Sequence, residues 1–95
     1  MIRQVEWTEE AKYSLDYHCK ILPMASARKV RRSIISTSKK LGTNPYLFQI
    51  DEYYPKNKGD IRRFFKWSYR VVYQVQESKV AILNVFHTSS QSQTP

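Results

Sequence analysis

Cysteine, glycine, acidic residues and long apolar runs are all scarce in this chain, and each scarcity excludes something. One cysteine, Cys19, among 95 residues cannot close an internal disulfide. Together with the two histidines, His18 and His87, it has no zinc-ligand spacing, so neither a structural metal nor a cofactor is expected. A reducing compartment suits such usage. The N-terminal stretch MIRQVEWTEE lacks the apolar core of a signal peptide, and no apolar run reaches the length of a membrane span. The protein is therefore expected in the cytoplasm, away from membranes. No repeat or linker divides the chain, which reads as one domain over residues 1–95, with a polar, frayed tail over 89–95.

The composition, 41% apolar and 25% charged, is that of a folded domain. Sixteen Lys and Arg against eight Asp and Glu leave a net charge of +8. The excess is local: residues 1–22 carry −1, 23–42 carry +6, 43–70 carry +3 and 71–95 carry none. A positive field in mid-chain attracts a polyanion or an acidic protein partner.

The pattern of apolar residues predicts strands at both ends and helices between. Ile2 to Glu6 alternates and reads as an opening edge strand. Thr8 has the chemistry of a helix N-cap, with Glu9 and Glu10 favoured by the dipole in the first turn. Ala11, Leu15, Cys19 and Leu22, joined by His18, recur at helical spacing up to Pro23. His18 and Cys19 read as helix residues at the edge of the core. A second helix, starting between Met24 and Ser26 and ending at Leu41, carries Ala27, Val30, Ile34, Thr37 and Leu41 as its apolar stripe. Gly42 stands where a left-handed C′ residue belongs. The short connection predicts an antiparallel helical hairpin, with Arg28, Lys29, Arg31 and Arg32 on its outer side. Such a run serves either as a solvated face or as a contact surface for nucleic acid or an acidic partner.

Residues 43–60 are rich in turn chemistry (Asn44-Pro45, Tyr53-Tyr54-Pro55, Asn57-Lys58-Gly59-Asp60), with room for a short strand at Phe48 to Asp51. Three strands come next in series. Ile61 to Lys66 turns at Trp67-Ser68 into an alternating run with Tyr69, Val71, Tyr73 and Val75 on one side and Arg70, Val72, Gln74 and Gln76 on the other. Glu77-Ser78-Lys79 leads into Lys79 to His87. There Val80, Ile82 and Phe86 alternate with Ala81, Leu83 and Val85, and His87 is expected on the side of Leu83 and Val85. The fold class expected is α+β: an N-terminal strand and an antiparallel helical hairpin packed on a twisted antiparallel sheet, completed by a C-terminal three-stranded meander.

The early pattern VEWT, the run IRRFFKWSYRVVYQV and the ending VAILNVFHTS together resemble the RelE/ParE superfamily of toxins from bacterial type II toxin–antitoxin modules. The resemblance spans about residues 2–90. It implies a tight complex with a cognate antitoxin bearing an acidic segment, and one of two actions. RelE-like members cleave messenger RNA on the ribosome; ParE-like members inhibit growth by poisoning DNA gyrase, with no established hydrolytic site. Fold alone does not choose between them.

Metal-independent RNA cleavage needs a base for the 2′-OH, cations for the phosphate and an acid for the leaving oxygen. His87 is the candidate base and Arg62 the candidate phosphate ligand. Lys56, Lys58, Arg63 and Arg70 are candidates for contact with a nucleic acid or other target, as are Arg28, Arg31 and Arg32. Each has a plainer reading: His87 satisfying a backbone group, Arg62 and Arg70 paired with a carboxylate or loop carbonyls, and the lysines solvated. After His87 there is no Arg, Lys or Tyr, whereas the ribonucleases of this superfamily often carry a basic or tyrosine-bearing end. The expected reading is therefore the gyrase-directed inhibitor, with the ribosome-dependent endoribonuclease as alternative and a plain basic binding module as a third. The aromatics Phe64, Phe65, Trp67 and Tyr69 interleave with Arg63, Lys66 and Arg70 as in nucleic-acid platforms, and half of them must face the helices.

Overall fold

The computed structural model describes residues 2–89, and its architecture is built on the C-terminal strands. The elements are β1 (Gln4–Trp7), α1 (Glu9–Lys20), α2 (Met24–Lys39), a 3-10 turn (Lys40–Gly42), β2 (Gln49–Ile50), β3 (Ile61–Lys66), β4 (Tyr69–Val75) and β5 (Lys79–His87). All five strands form one sheet in the order β1-β5-β4-β3-β2. The meander pairs antiparallel throughout, and β2 adds antiparallel to β3. The chain is thus α+β, with the helices on one face of an open sheet. The last residues of the expected tail, 90–95, lie outside the described residues.

At one edge the sheet departs from the all-antiparallel expectation. β1 runs parallel to β5, with Val5 opposite Val80, which makes the sheet mixed. No short turn ties these two strands, so their polarity is set by the route of the chain beyond β1. At Thr8 the chain must rise onto the sheet face, and the Thr8 N–H donates to Ile82 O at 3.2 Å. The Thr8 hydroxyl accepts from the Ala11 N–H at 3.2 Å, capping α1, and donates to Ile82 O at 2.8 Å. One side chain therefore starts the helix and fixes it to the sheet.

Ala11, Leu15 and Cys19 of α1 and Val30 and Ile34 of α2 are buried against Phe64, Tyr69, Val71, Tyr73, Val80, Ile82 and Val85. Cys19 is a free, buried thiol. Between Val72 and Tyr73 the β4–β5 register slips: Val72 faces Asn84 while Tyr73 faces Ile82, leaving Leu83 as the extra residue of a bulge. Simple alternation puts Phe86 with Val80 and Ile82, and the bulge reverses this. Val85 joins the core beside the helices, while Phe86 lies on the opposite face under the Arg70 guanidinium, 4.6 Å from ring centroid to Cζ.

Gly42 has a different duty from the left-handed cap expected of it. α2 ends at Lys39 and tightens into the 3-10 turn, and the Arg3 N–H donates to Gly42 O at 2.8 Å. A Cβ on Gly42 would lie 2.6 Å from Arg3 O, a backbone atom that cannot swing aside. Gly42 is thus the point where the end of the helical layer touches the start of β1. Gly42→Ala is expected to lower unfolding stability by about 1–3 kcal/mol, the usual cost of overpacking. Urea denaturation followed by circular dichroism measures it; an unchanged midpoint would mean that the contact gives way freely.

Candidate functional site

The cations singled out in the sequence divide into those the fold uses internally and those it presents to solvent. Arg70 belongs to the first group without qualification. It is the one charged residue of β4 and has no exposed surface. Its Nε lies 3.4 Å from Asp51 Oδ1, and its guanidinium is stacked between the rings of Tyr53 and Phe86 at 4.8 and 4.6 Å. Asp51 is equally buried. Burial pushes the Asp51 carboxyl up from its ordinary range, against the opposing pull of Arg70, and burial likewise lowers Arg70. Arg70 therefore offers nothing to an external target; the expectation of target contact is replaced by a structural ion pair.

Arg62, the candidate phosphate ligand, donates from Nε to Gly59 O at 3.2 Å and from Nη1 to Phe48 O at 2.7 Å, with Tyr46 stacked on it at 4.8 Å. It clamps the segment 43–60 to β3. Arg63 reaches Glu52 Oε2 at 3.1 Å and Gln49 Oε1 at 3.1 Å, at the β2 edge. The loop ahead is organised by Asn57, whose Nδ2 donates to Asp51 O and Ile61 O while its Oδ1 accepts from the Gly59 and Ile61 N–H groups. Lys56 and Lys58 flank Asn57 and are exposed, Lys56 at a positive φ of 57°.

His87 ends β5 on the helix side of the sheet. It packs against Tyr69 at 5.2 Å edge to face and lies 6.3 Å from the His18 ring. Its Nδ1 is 3.1 Å from the Ser89 N–H and 2.6 Å from Ser89 Oγ. A backbone N–H can only donate, so Nδ1 is the acceptor and the neutral ring carries its proton on Nε2. His18, read from the sequence as a core-edge residue, turns out to neighbour His87. Its Nε2 lies 3.0 Å from Val85 O, and burial, reinforced by nearby His87, lowers its pKa despite that hydrogen bond.

His87 and Arg62 do not meet. His87 pairs with Tyr69, Tyr69 with Lys66, and Arg62 sits four residues back along β3 opposite Tyr73. Strand geometry places their backbones about 16 Å apart. Phe64, buried in the core, lies between those two rungs.

On the outer side of the hairpin, Arg28 and Arg32 are exposed and Arg31 reaches across to Asp16 of α1 at 2.8 Å. Two adjoining grooves meet at Arg31 and Ile35. One is walled by Arg28, Arg32 and Lys39 of α2, the other by Trp7, Lys12 and Leu15. Sequence reasoning placed this cationic face but missed Asp51, Asn57 and Tyr46, which hold the arginines of the meander. Among the described residues no group of three or more His, Cys, Asp or Glu could hold a metal ion, and no helix is long and apolar enough to cross a membrane.

The fold, a hairpin of helices on an open mixed sheet, is similar to that of solved toxin–antitoxin components. One chain of the chromosomal ParDE system of P. aeruginosa superposes with a TM-score of 0.67 at 17% identity, covering 90% of this chain and 96% of that one. A chain of the RelBE2 toxin–antitoxin complex of Mycobacterium tuberculosis gives 0.64 at 18% identity, covering 92% and 99%. No curated relative matches the sequence. The sequence model described as the ParE toxin of the type II toxin–antitoxin system parDE matches residues 5–92. The chain belongs to that family and is a toxin of a type II toxin–antitoxin system.

The buried groups can be tested by stability. Asp51→Ala strands the Arg70 charge and is expected to cost about 3–5 kcal/mol, whereas the paired change Asp51→Leu with Arg70→Met recovers most of that loss. Urea unfolding of both proteins decides it; equal loss in the two would show that the ion pair is not the source. For His18, the folded state resists protonation while the unfolded state binds a proton below about pH 6.5. The unfolded state thus holds more protons in that window, so stability rises with pH there and falls as pH drops from 6.5 through the depressed folded value. Between pH 7.5 and 5.5 the parent should lose more stability than His18→Gln, and parallel losses would exclude His18 as the titrating group.

Proposed function

We propose that the protein inhibits growth by acting on DNA gyrase without hydrolysing nucleic acid, in the cytoplasm, and that a cognate antitoxin neutralises it. The observation that carries this reading is the separation of His87 from Arg62, with Nε and Nη1 of Arg62 engaged by loop carbonyls. A 2′-OH base and a phosphate ligand must flank one phosphodiester, and about 16 Å of core-facing sheet stands between these two. His87 is in addition poorly disposed to act as the base, because the lone pair on Nδ1 is engaged by Ser89 and Nε2 carries the proton. The affinity of the chain for an acidic antitoxin segment is supported by the paired grooves at Arg31 and Ile35, where Arg28, Arg32 and Lys39 surround an apolar floor.

The test measures two activities of one preparation. Purified protein is added to a gyrase supercoiling and DNA-cleavage assay, and separately to cell-free translation with the 5′ ends of the messenger mapped. The expected result is inhibited supercoiling with trapped gyrase–DNA cleavage products, intact messenger, and retention of both properties by His87→Ala. New 5′ ends that appear only during translation and vanish in His87→Ala would establish the endoribonuclease instead.

A further inference from the structure

The interleaved aromatics of the meander separate cleanly in the fold. Phe64 and Tyr69 are buried, whereas Phe65 is 47% exposed and Trp67 is 55% exposed. Trp67 is also one of two non-glycine residues with positive φ among the described residues, at 50°. Bulky side chains avoid that region because Cβ crowds the backbone, and Gly or Asn would occupy it at less cost. A conformational cost of this kind is ordinarily offset by burial, but most of this indole stays in water. Its setting is cationic: the Lys29 ammonium of α2 lies 5.5 Å from its ring centroid, and Lys66 precedes it. Phe65 pairs with Arg70 and so lies on the face away from the helices, where it is stacked by the Arg63 guanidinium at 4.9 Å, whereas Lys66 shares the helix side with Phe64.

We infer that the β3–β4 hairpin tip is a binding site for unpaired nucleobases, with Trp67 as the stacking surface and Lys29 and Lys66 for the flanking phosphates. Exposed rings between cations are the elements by which proteins hold single strands, since every base has a π-face and every linkage a negative charge. A duplex hides those faces, so the tip discriminates against it. The inference stands apart from the action on gyrase, which the supercoiling assay reads by itself.

The experiment uses fluorescein-labelled dT12, rU12 and a dT12–dA12 duplex, with fluorescence anisotropy of the full chain at two salt concentrations. Wild-type protein is expected to bind the single strands more tightly than the duplex. Trp67→Ala should weaken single-strand binding about 5- to 100-fold, while Trp67→Phe, which keeps a ring, stays within a few-fold. Lys29→Gln should flatten the salt dependence by about one contact. Trp67→Gly is the decisive control: it relieves the backbone, so thermal stability should hold or rise while binding falls as in Trp67→Ala. Preference for rU12 over dT12, or the reverse, identifies RNA or DNA as the source of the bases, and either supports the site. The assignment is overturned if neither single strand binds, if the duplex binds better, or if Trp67→Ala and Trp67→Gly bind as the parent does.

Discussion

A guanidinium buried in the central strand of a sheet must be neutralised where it lies, and the course of residues 43–60 answers that requirement. β4 is third of five strands, and Arg70 stands on the face away from the helices with no route to water. The segment after α2 first packs on the helix side, where the Tyr73 hydroxyl donates to Pro45 O and Phe48 meets Phe64. It then adds β2 to the sheet edge and returns beneath the opposite face to deliver Asp51 and Tyr53 to Arg70. Arg62 and Asn57 hold that path from the inside. Their bonds go to backbone groups that a turn-rich segment would otherwise leave unpaired.

The bulge at Leu83 serves the same arrangement from the other strand. Without the extra residue, Phe86 would point at α1 and His87 away from it. With it, Phe86 closes the second side of the Arg70 stack and His87 comes to the helix side beside His18 and Tyr69. The irregularity is held by polar residues spaced along α1 and its cap: Thr8 bonds Ile82 O, Ser14 donates to Asn84 Oδ1 at 2.6 Å, and His18 meets Val85 O. Asn84 Oδ1 also accepts from the Val85 N–H, satisfying the backbone where the ladder is interrupted. Helix docking and strand register are therefore one interaction, and the position of His87 is its product.

That coupling explains which parts of the molecule were legible in the sequence. The meander, the Thr8 cap, the two helices and the short strand before Asp51 rest on local periodicity and turn chemistry, which act over a few residues. The bulge was invisible because Val80 to Phe86 is apolar on both faces, so alternation carries no penalty for a slip. The parallel pairing of β1 depends on residues about 75 positions away in the sequence. Arg70 gave a partial signal, as the lone charge in an otherwise uncharged strand. It required an acid, yet Asp51, Glu52 and Asp60 all precede the meander, and only the path of the chain selects the first. Gly42 was singled out correctly as a special position, but for a backbone dihedral rather than for the approach of Arg3.

The same sorting changes the meaning of the net charge. Arg70 is sealed under the sheet, Arg62 is bound to carbonyls, and Arg63 and Arg31 are paired with Glu52 and Asp16. The cations left to act at a distance include Arg28 and Arg32 on α2, Lys56 and Lys58 on the loop, and Lys29 beside the hairpin tip. α2 has no acid in its first turn to temper its field. Exposed charge of this kind speeds encounter and selects acidic partners more than it sets affinity, which comes from the apolar and aromatic surface it surrounds. On the helical hairpin that surface is the groove at Ile35; at the sheet end it is Trp67. These two cation-rimmed apolar patches are built from different residues, so a substitution in one leaves the contacts of the other in place.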